Sequence, residues 1–229
     1  MAIKYIITTP LVKAKKTDIK QFINQFNDVD YQKIGKFITE GFEHLVFEYG
    51  TSQVIKIPKL IIGRENRRPN DLQKYNSLVK EYFPNFHCDT RIPVYEDSYC
   101  MLQPRLDSIV PVSTKNFEEI RPLFNQIIQQ NRQMLKKERC SLDFLGFQGF
   151  VNSINSFILN LTDPILDNVV IITQNNKPNL RIVDLGLLEM HDSKADFYDQ
   201  YLQIQTQIVF NASRYLMQQC FDCDIEKDK

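Results

Sequence analysis

Three short segments, Lys33–Glu40, Glu43–Tyr49 and Ser52–Pro58, carry strand-like patterning and are joined at Glu40-Gly41 and Tyr49-Gly50. Tight turns between consecutive strands make antiparallel neighbours, so this stretch is expected to form a sheet in chain order. Two further strands, Asp89–Tyr95 and Tyr99–Pro104, flank the turn Glu96-Asp97-Ser98, and a polar helix over Asn70–Tyr82 separates them from the first three. After Pro104 the pattern becomes helical. Phe117, Ile120, Phe124, Ile127 and Ile128 share one helical face, and Phe147, Phe150, Val151, Ile154, Phe157 and Ile158 share another. A hairpin follows, from Asn168–Thr173 through a turn at Gln174–Asn179 to Leu180–Val183, and then a long helix over about Asp196–Gln219. Ahead of the strands, Ile19, Phe22, Ile23 and Phe26 line one face of a helix that Thr17 can cap. The expected organisation is α+β: a helical extension over residues 1–30, a small β-rich part over 31–103 and a helical part with one hairpin over 104–229.

Composition narrows the classes of function. Hydrophobic residues make up 43% of the 229, enough for a sizeable core. Lys plus Arg number 28 and Asp plus Glu 28, so net charge offers no general attraction to nucleic acid or an anionic membrane. No apolar run approaches the roughly 20 residues of a membrane span. The N-terminal stretch lacks a signal-peptide pattern, and a cytoplasmic location is the default expectation. The five cysteines are odd in number and scattered, which fits reduced packing residues. Cys220 and Cys223 form a C-x-x-C, but a zinc site needs a second pair of ligands and none is spaced for it. His44, His87 and His191 are isolated and share no ligand spacing.

Three features carry chemistry. Lys56 stands inside the apolar strand Val54-Ile55-Lys56-Ile57-Pro58, where an inward ammonium requires an anion. Asp163 precedes by five residues Asn168, which opens an apolar strand. Asp184 ends the strand Leu180–Val183 and is followed by Leu185-Gly186. The hairpin brings Asn168 and Asp184 to the same end of adjacent strands. An amide oxygen beside a carboxylate suits Mg²⁺, a hard cation that bridges to phosphates.

The order of these features resembles the protein-kinase-like superfamily over roughly Tyr31 to Glu189. The resemblance implies a two-lobed fold with a five-stranded antiparallel small lobe and a reduced helical lobe. It implies ATP and Mg²⁺ as cofactors and phosphoryl transfer as the activity. By that resemblance Gly35 and Gly41 cover the phosphates, Lys56 contacts them, Asp163 orients the acceptor hydroxyl, and Asn168 and Asp184 hold Mg²⁺. The Gln103 carbonyl and the Arg105 amide would face the adenine edge. The carboxylate partner of Lys56 would come from the following helix, as Asp71, Glu65 or Glu81. Asp167 is a second candidate beside Asp163. The sequence departs from the family in its thin glycine loop, in Leu161-Thr162 where a His-Arg pair is usual, and in Asp184-Leu185-Gly186 for Asp-Phe-Gly. It lacks an Ala-Pro-Glu, and the remaining chain is too short for the usual peptide-binding helices. These departures point to a small-molecule or specialised acceptor, or to a pseudokinase that binds nucleotide without chemistry.

Overall fold

The computed structural model describes residues 16–41, 43–59, 69–112, 116–144 and 166–189. The expected helices near 147–158 and 196–219 lie outside these residues, as do Glu65, Asp163, His191 and the Cys220–Cys223 pair.

The architecture is mixed α+β with antiparallel sheets. Helix α1 (Lys16–Ile23) leads through a 3₁₀ turn at Tyr31–Lys33 into β1 (Ile34–Glu40), β2 (His44–Tyr49) and β3 (Gln53–Pro58). The 3₁₀ turn is capped by Asp30, whose carboxylate accepts from the Gln32 N–H at 2.9 Å. At the β2–β3 turn Gly50 has φ +62, a left-handed backbone that glycine adopts without steric cost. Helix α2 (Pro69–Tyr82) begins with Pro at its first position, where no N–H is needed. The hairpin β4 (Val94–Tyr95) and β5 (Ser98–Tyr99) precedes β6 (Met101–Pro104). The main sheet has the order β1-β2-β3-β6.

The main ladder is four-stranded, and the expected fifth segment lies along the outer edge of β6 as an interrupted partner. Arg91 and Leu102 exchange backbone hydrogen bonds at 2.9 and 2.8 Å, and the same register continues through the Cys100 N–H to the Pro93 carbonyl at 3.1 Å into the β4–β5 hairpin. Pro93 has no N–H to give, which interrupts the ladder, and Glu96 at φ 50 lies in the turn that closes the hairpin.

After β6 the chain forms β7 (Val110–Val112), the long helix α3 (Phe117–Glu138), β8 (Cys140–Leu142), β9 (Leu166–Gln174), β10 (Lys177–Ile182) and β11 (Leu187–Glu189). The β9–β10 hairpin turns on Asn175 and Asn176, both at positive φ, a conformation that Asn tolerates better than most residues. The turn is thus shorter than the sequence pattern suggested. β7 pairs with β9, and β8 with β11. Neither β7, β8 nor β11 was anticipated from the sequence.

Two apolar clusters hold these elements. Ile19, Ile23 and Phe26 of the N-terminal segment bury against Ile55, Ile57 and Leu102 of the sheet. That segment is consequently part of the core of the β-rich half rather than an appendage to it. The second cluster joins Leu72, Val79 and Phe83 of α2 and its C-terminal turn to Ile120, Phe124 and Ile127 of α3 and to Leu180 and Ile182 of β10. Burying side chains of this size stabilises by roughly 1.5–3 kcal/mol each before entropy is counted. Helix α2 lies early in the chain yet packs with the helical half. No helix among the described residues is long and apolar enough to cross a membrane.

Candidate functional site

A cleft of about 930 Å³ opens between the main sheet and the β8–β11 region. Lys56, Gln103, Arg105, Gly41, Asp143, Asn168 and Asp184 all line it. Residues singled out from three distant parts of the sequence therefore meet in one place; Gly35 and Asp71 do not line it, and Asp163 lies outside the described residues.

Lys56 projects from β3, where Val46 is its neighbour on β2 and Met101 its neighbour on β6. Its ammonium donates to the carbonyl oxygen of Val183 at 2.5 Å. Among the described residues no carboxylate of the following helix is its partner, and Glu65 lies outside them. Asp71 is exposed in the first turn of α2 and does not line the cleft, because its neighbour Leu72 takes the inward position. Glu81 sits at the other end of α2, 3.6 Å from Lys137. A different α2 side chain reaches across: Lys74 bonds Glu189 of β11 at 2.8 Å, and that hydrogen bond holds the Lys74 pKa above its ordinary value.

Asn168 sits near the start of β9, buried, and is tied on both sides. Its Nδ2 donates to the Asp143 carbonyl at 2.7 Å, and its backbone carbonyl accepts from the Val183 N–H at 2.9 Å. The amide nitrogen is fixed toward Asp143, so Oδ1 is the atom on the opposite side of the group. The Asp184 carboxylate accepts from the Leu185 N–H at 2.7 Å.

Asp143 is the residue that sequence reasoning missed. It follows β8, its N–H donates to the Gly186 carbonyl at 2.8 Å, and it lines the cleft with Asn168 and Asp184. Helix α3 fixes β8 through Asn131, whose Oδ1 accepts from Leu142 N at 2.8 Å while its Nδ2 bonds Ser141 Oγ at 3.0 Å. Gly186 closes the arrangement: a Cβ there would stand 3.2 Å from Asn168 Nδ2 and 3.3 Å from Asp143 Cβ. The only sequence signal was the short run Cys140-Ser-Leu-Asp143, a strand-sized apolar segment ending in a carboxylate. Asp167, the second candidate beside Asp163, precedes Asn168 on β9.

The glycine assignments divide. Gly41 lines the cleft at the β1–β2 turn, where its N–H donates to the His44 carbonyl at 2.9 Å. Gly35 does not line the cleft. It is small because Glu48 packs over it: a Cβ would lie 3.0 Å from both Cβ and Oε2 of Glu48.

The edge of β6 also differs from expectation. The Arg105 N–H donates to the Ser52 carbonyl at 2.8 Å and continues the ladder with β3. Its side chain bonds Glu48 at 2.9 Å. Backbone groups alternate sides along a strand, and Leu102 turns its N–H and C=O away from β3 toward Arg91. By the same parity the Pro104 C=O and the Leu106 N–H point away from β3, one residue displaced from the Gln103 and Arg105 groups expected. Gln103 contributes its buried side chain instead: Nε2 donates to Thr90 Oγ1 at 2.8 Å and to Val183 O at 3.3 Å. Cys88 lines the cleft as well, but burial pushes its thiol pKa up and keeps it protonated.

Asn168 Oδ1 and the Asp184 carboxylate are both oxygen donors, the kind a hard divalent cation takes. Among the described residues no three His, Cys, Asp or Glu side chains cluster into a metal site. The chain matches no known protein-family model and no curated protein.

Proposed function

We propose that the chain is an ATP- and Mg²⁺-binding phosphotransferase of two-lobed, protein-kinase-like fold. The observation that carries this reading is that Lys56, Asn168 and Asp184 line one cleft, with the Lys56 ammonium 2.5 Å from the backbone of the residue preceding Asp184. A single polyphosphate can then touch both. On this reading the sheet β1-β2-β3-β6 and α1 form the small lobe, and α3 with the β9–β10 hairpin forms the base of the larger one. The location is cytoplasmic, and the acceptor is a small molecule or a specialised partner.

Each residue has a part in the mechanism. Lys56 orients the phosphates. Asn168 Oδ1 and the Asp184 carboxylate would hold Mg²⁺, which when bound neutralises the phosphate charge that grows during transfer. Asp143, whose N–H is tied to Gly186 and whose strand β8 is pinned by Asn131, would orient an acceptor hydroxyl, the role that the resemblance implied for Asp163. Phosphoryl transfer passes through a loose transition state, so positioning and charge neutralisation do most of the work.

One observation favours a second reading, a pseudokinase that binds nucleotide without transferring phosphate. Lys56 is held by a carbonyl, and no carboxylate of α2 lines the cleft. ATP turnover with Mg²⁺, in wild type and in Lys56→Ala, separates the two. Turnover lost in the variant supports the enzyme. ATP binding without turnover in either supports the pseudokinase. Absence of ATP binding overturns both.

A further inference from the structure

Gln103 is 3% exposed and lines the cleft. Which way its amide points is decided by its partners. Thr90 Oγ1 uses its own hydrogen on the Cys88 carbonyl, 2.6 Å away, so toward Gln103 it can only accept. Val183 O has no hydrogen to give. Both neighbours are therefore acceptors, and both must face the Nε2 end of the amide at 2.8 and 3.3 Å. The reversed amide would set three oxygens against one another.

With both N–H groups engaged, Oε1 lies on the other side of the amide, and no described residue donates to it. An acceptor held in place at the cleft wall gains a hydrogen bond when it meets an N–H from a ligand. We infer that Gln103 is a specificity-determining residue, its locked Oε1 selecting a ligand whose inner edge carries an N–H donor, an aminopurine rather than an oxopurine. This inference rests on the nucleotide-binding reading above. It extends that reading from the phosphates to the base. The donor edge of the base meets Oε1 directly. The carbonyl edge of an oxopurine meets it acceptor to acceptor, and nearby groups cannot relieve the conflict because turning the amide breaks the bonds to Thr90 and Val183.

The test is equilibrium binding, with Mg²⁺, of three triphosphates: ATP, GTP and the triphosphate of unsubstituted purine riboside, which lacks the exocyclic amine. Wild type is expected to bind ATP about tenfold more tightly than the unsubstituted purine and to bind GTP more weakly still. Gln103→Met keeps the volume and removes the acceptor, and the preference of ATP over the unsubstituted purine should shrink to within about twofold. Thr90→Val leaves Gln103 in place, removes one of the two acceptors that lock it, and lies outside the cleft lining; it should narrow the same ratio. Equal binding of all three triphosphates to wild type, or an unchanged ratio in either variant, overturns the assignment of Gln103 and leaves nucleotide binding standing. Failure of every triphosphate to bind wild type overturns both.

Discussion

The Lys56 ammonium lies 2.5 Å from the carbonyl oxygen of Val183, which joins the middle of β3 directly to the residue preceding Asp184. The contact spans most of the described chain and sets the cation and the carboxylate at one end of the same cleft. Lys56→Met removes that tether and one of the two described lysines that line the cleft. Turnover of ATP is expected to fall by ~100-fold or more, the scale for losing one charge-stabilising group. A steady-state assay of phosphate release checks it. Full activity in the variant would show that Lys56 is structural.

Asp184 bears on metal dependence. ATP with Mg²⁺ is expected to raise the melting temperature of the wild type, and Asp184→Ala is expected to lose the Mg²⁺-dependent part of that rise while keeping its unliganded melting temperature within a few degrees. Thermal denaturation with ATP, in Mg²⁺ and in chelator, is the measurement. An identical rise in both media would remove Asp184 from the metal site.

Asp143 and Asp163 make opposite predictions for the acceptor-orienting carboxylate. Asp143→Ala should lower kcat by ~100-fold or more with ATP affinity little changed, while Asp163→Ala should leave kcat within a few-fold. The reverse order would restore the role to Asp163.

Asn131 pins β8, the strand that Asp143 follows. Asn131→Leu leaves the Leu142 N–H without its acceptor in a buried place, at a cost of about 1–3 kcal/mol in stability. Urea unfolding reads that loss. Because Asp143 follows the same strand, turnover should decline even at temperatures where the variant is fully folded.

His87 gives the molecule a pH response. Its Nε2 donates to Asn76 Oδ1 at 3.1 Å, since the Asn76 nitrogen is engaged with Thr90 O. Burial lowers the His87 pKa below 6.5. The folded state thus binds a proton less readily than the unfolded one. The resulting stability is fully present above about pH 6.5 and is lost as the pH falls through the lower folded value. Urea midpoints measured from pH 7.5 down to 5 should decline, and His87→Gln should flatten the decline. A flat wild-type profile would exclude the effect.

Much of this was legible from local pattern. β1, β2 and β3 announce themselves by apolar patterning between glycine turns, and β9–β10 by strand propensity around Asn175 and Asn176. Lys56, Asn168 and Asp184 stand out because each breaks or ends an apolar strand. What stayed hidden depends on contacts distant in sequence. β8 is three residues long, too short for a period, and exists because Cys140 to Leu142 pair with Leu187 to Glu189. Asp143 was hidden with it, since spacing along the chain favoured Asp163. The partner of Lys56 is hidden for another reason: a backbone carbonyl leaves no mark on the sequence, whereas Asp71 is a visible side-chain anion. Gly35 illustrates the converse error, a glycine that serves the packing of Glu48 and was assigned to a ligand.

The Val183 carbonyl, which accepts from both Lys56 and Gln103, is a shared anchor for two side chains of the sheet. An ammonium carries three N–H donors, so Lys56 can keep Val183 and still offer two to an arriving anion. Ligand entry is then an addition to a bond already made, and the lysine need not be recruited from solvent. Because Val183 adjoins Asp184, the cation on one wall of the cleft and the carboxylate on the other are kept in register by a single peptide unit.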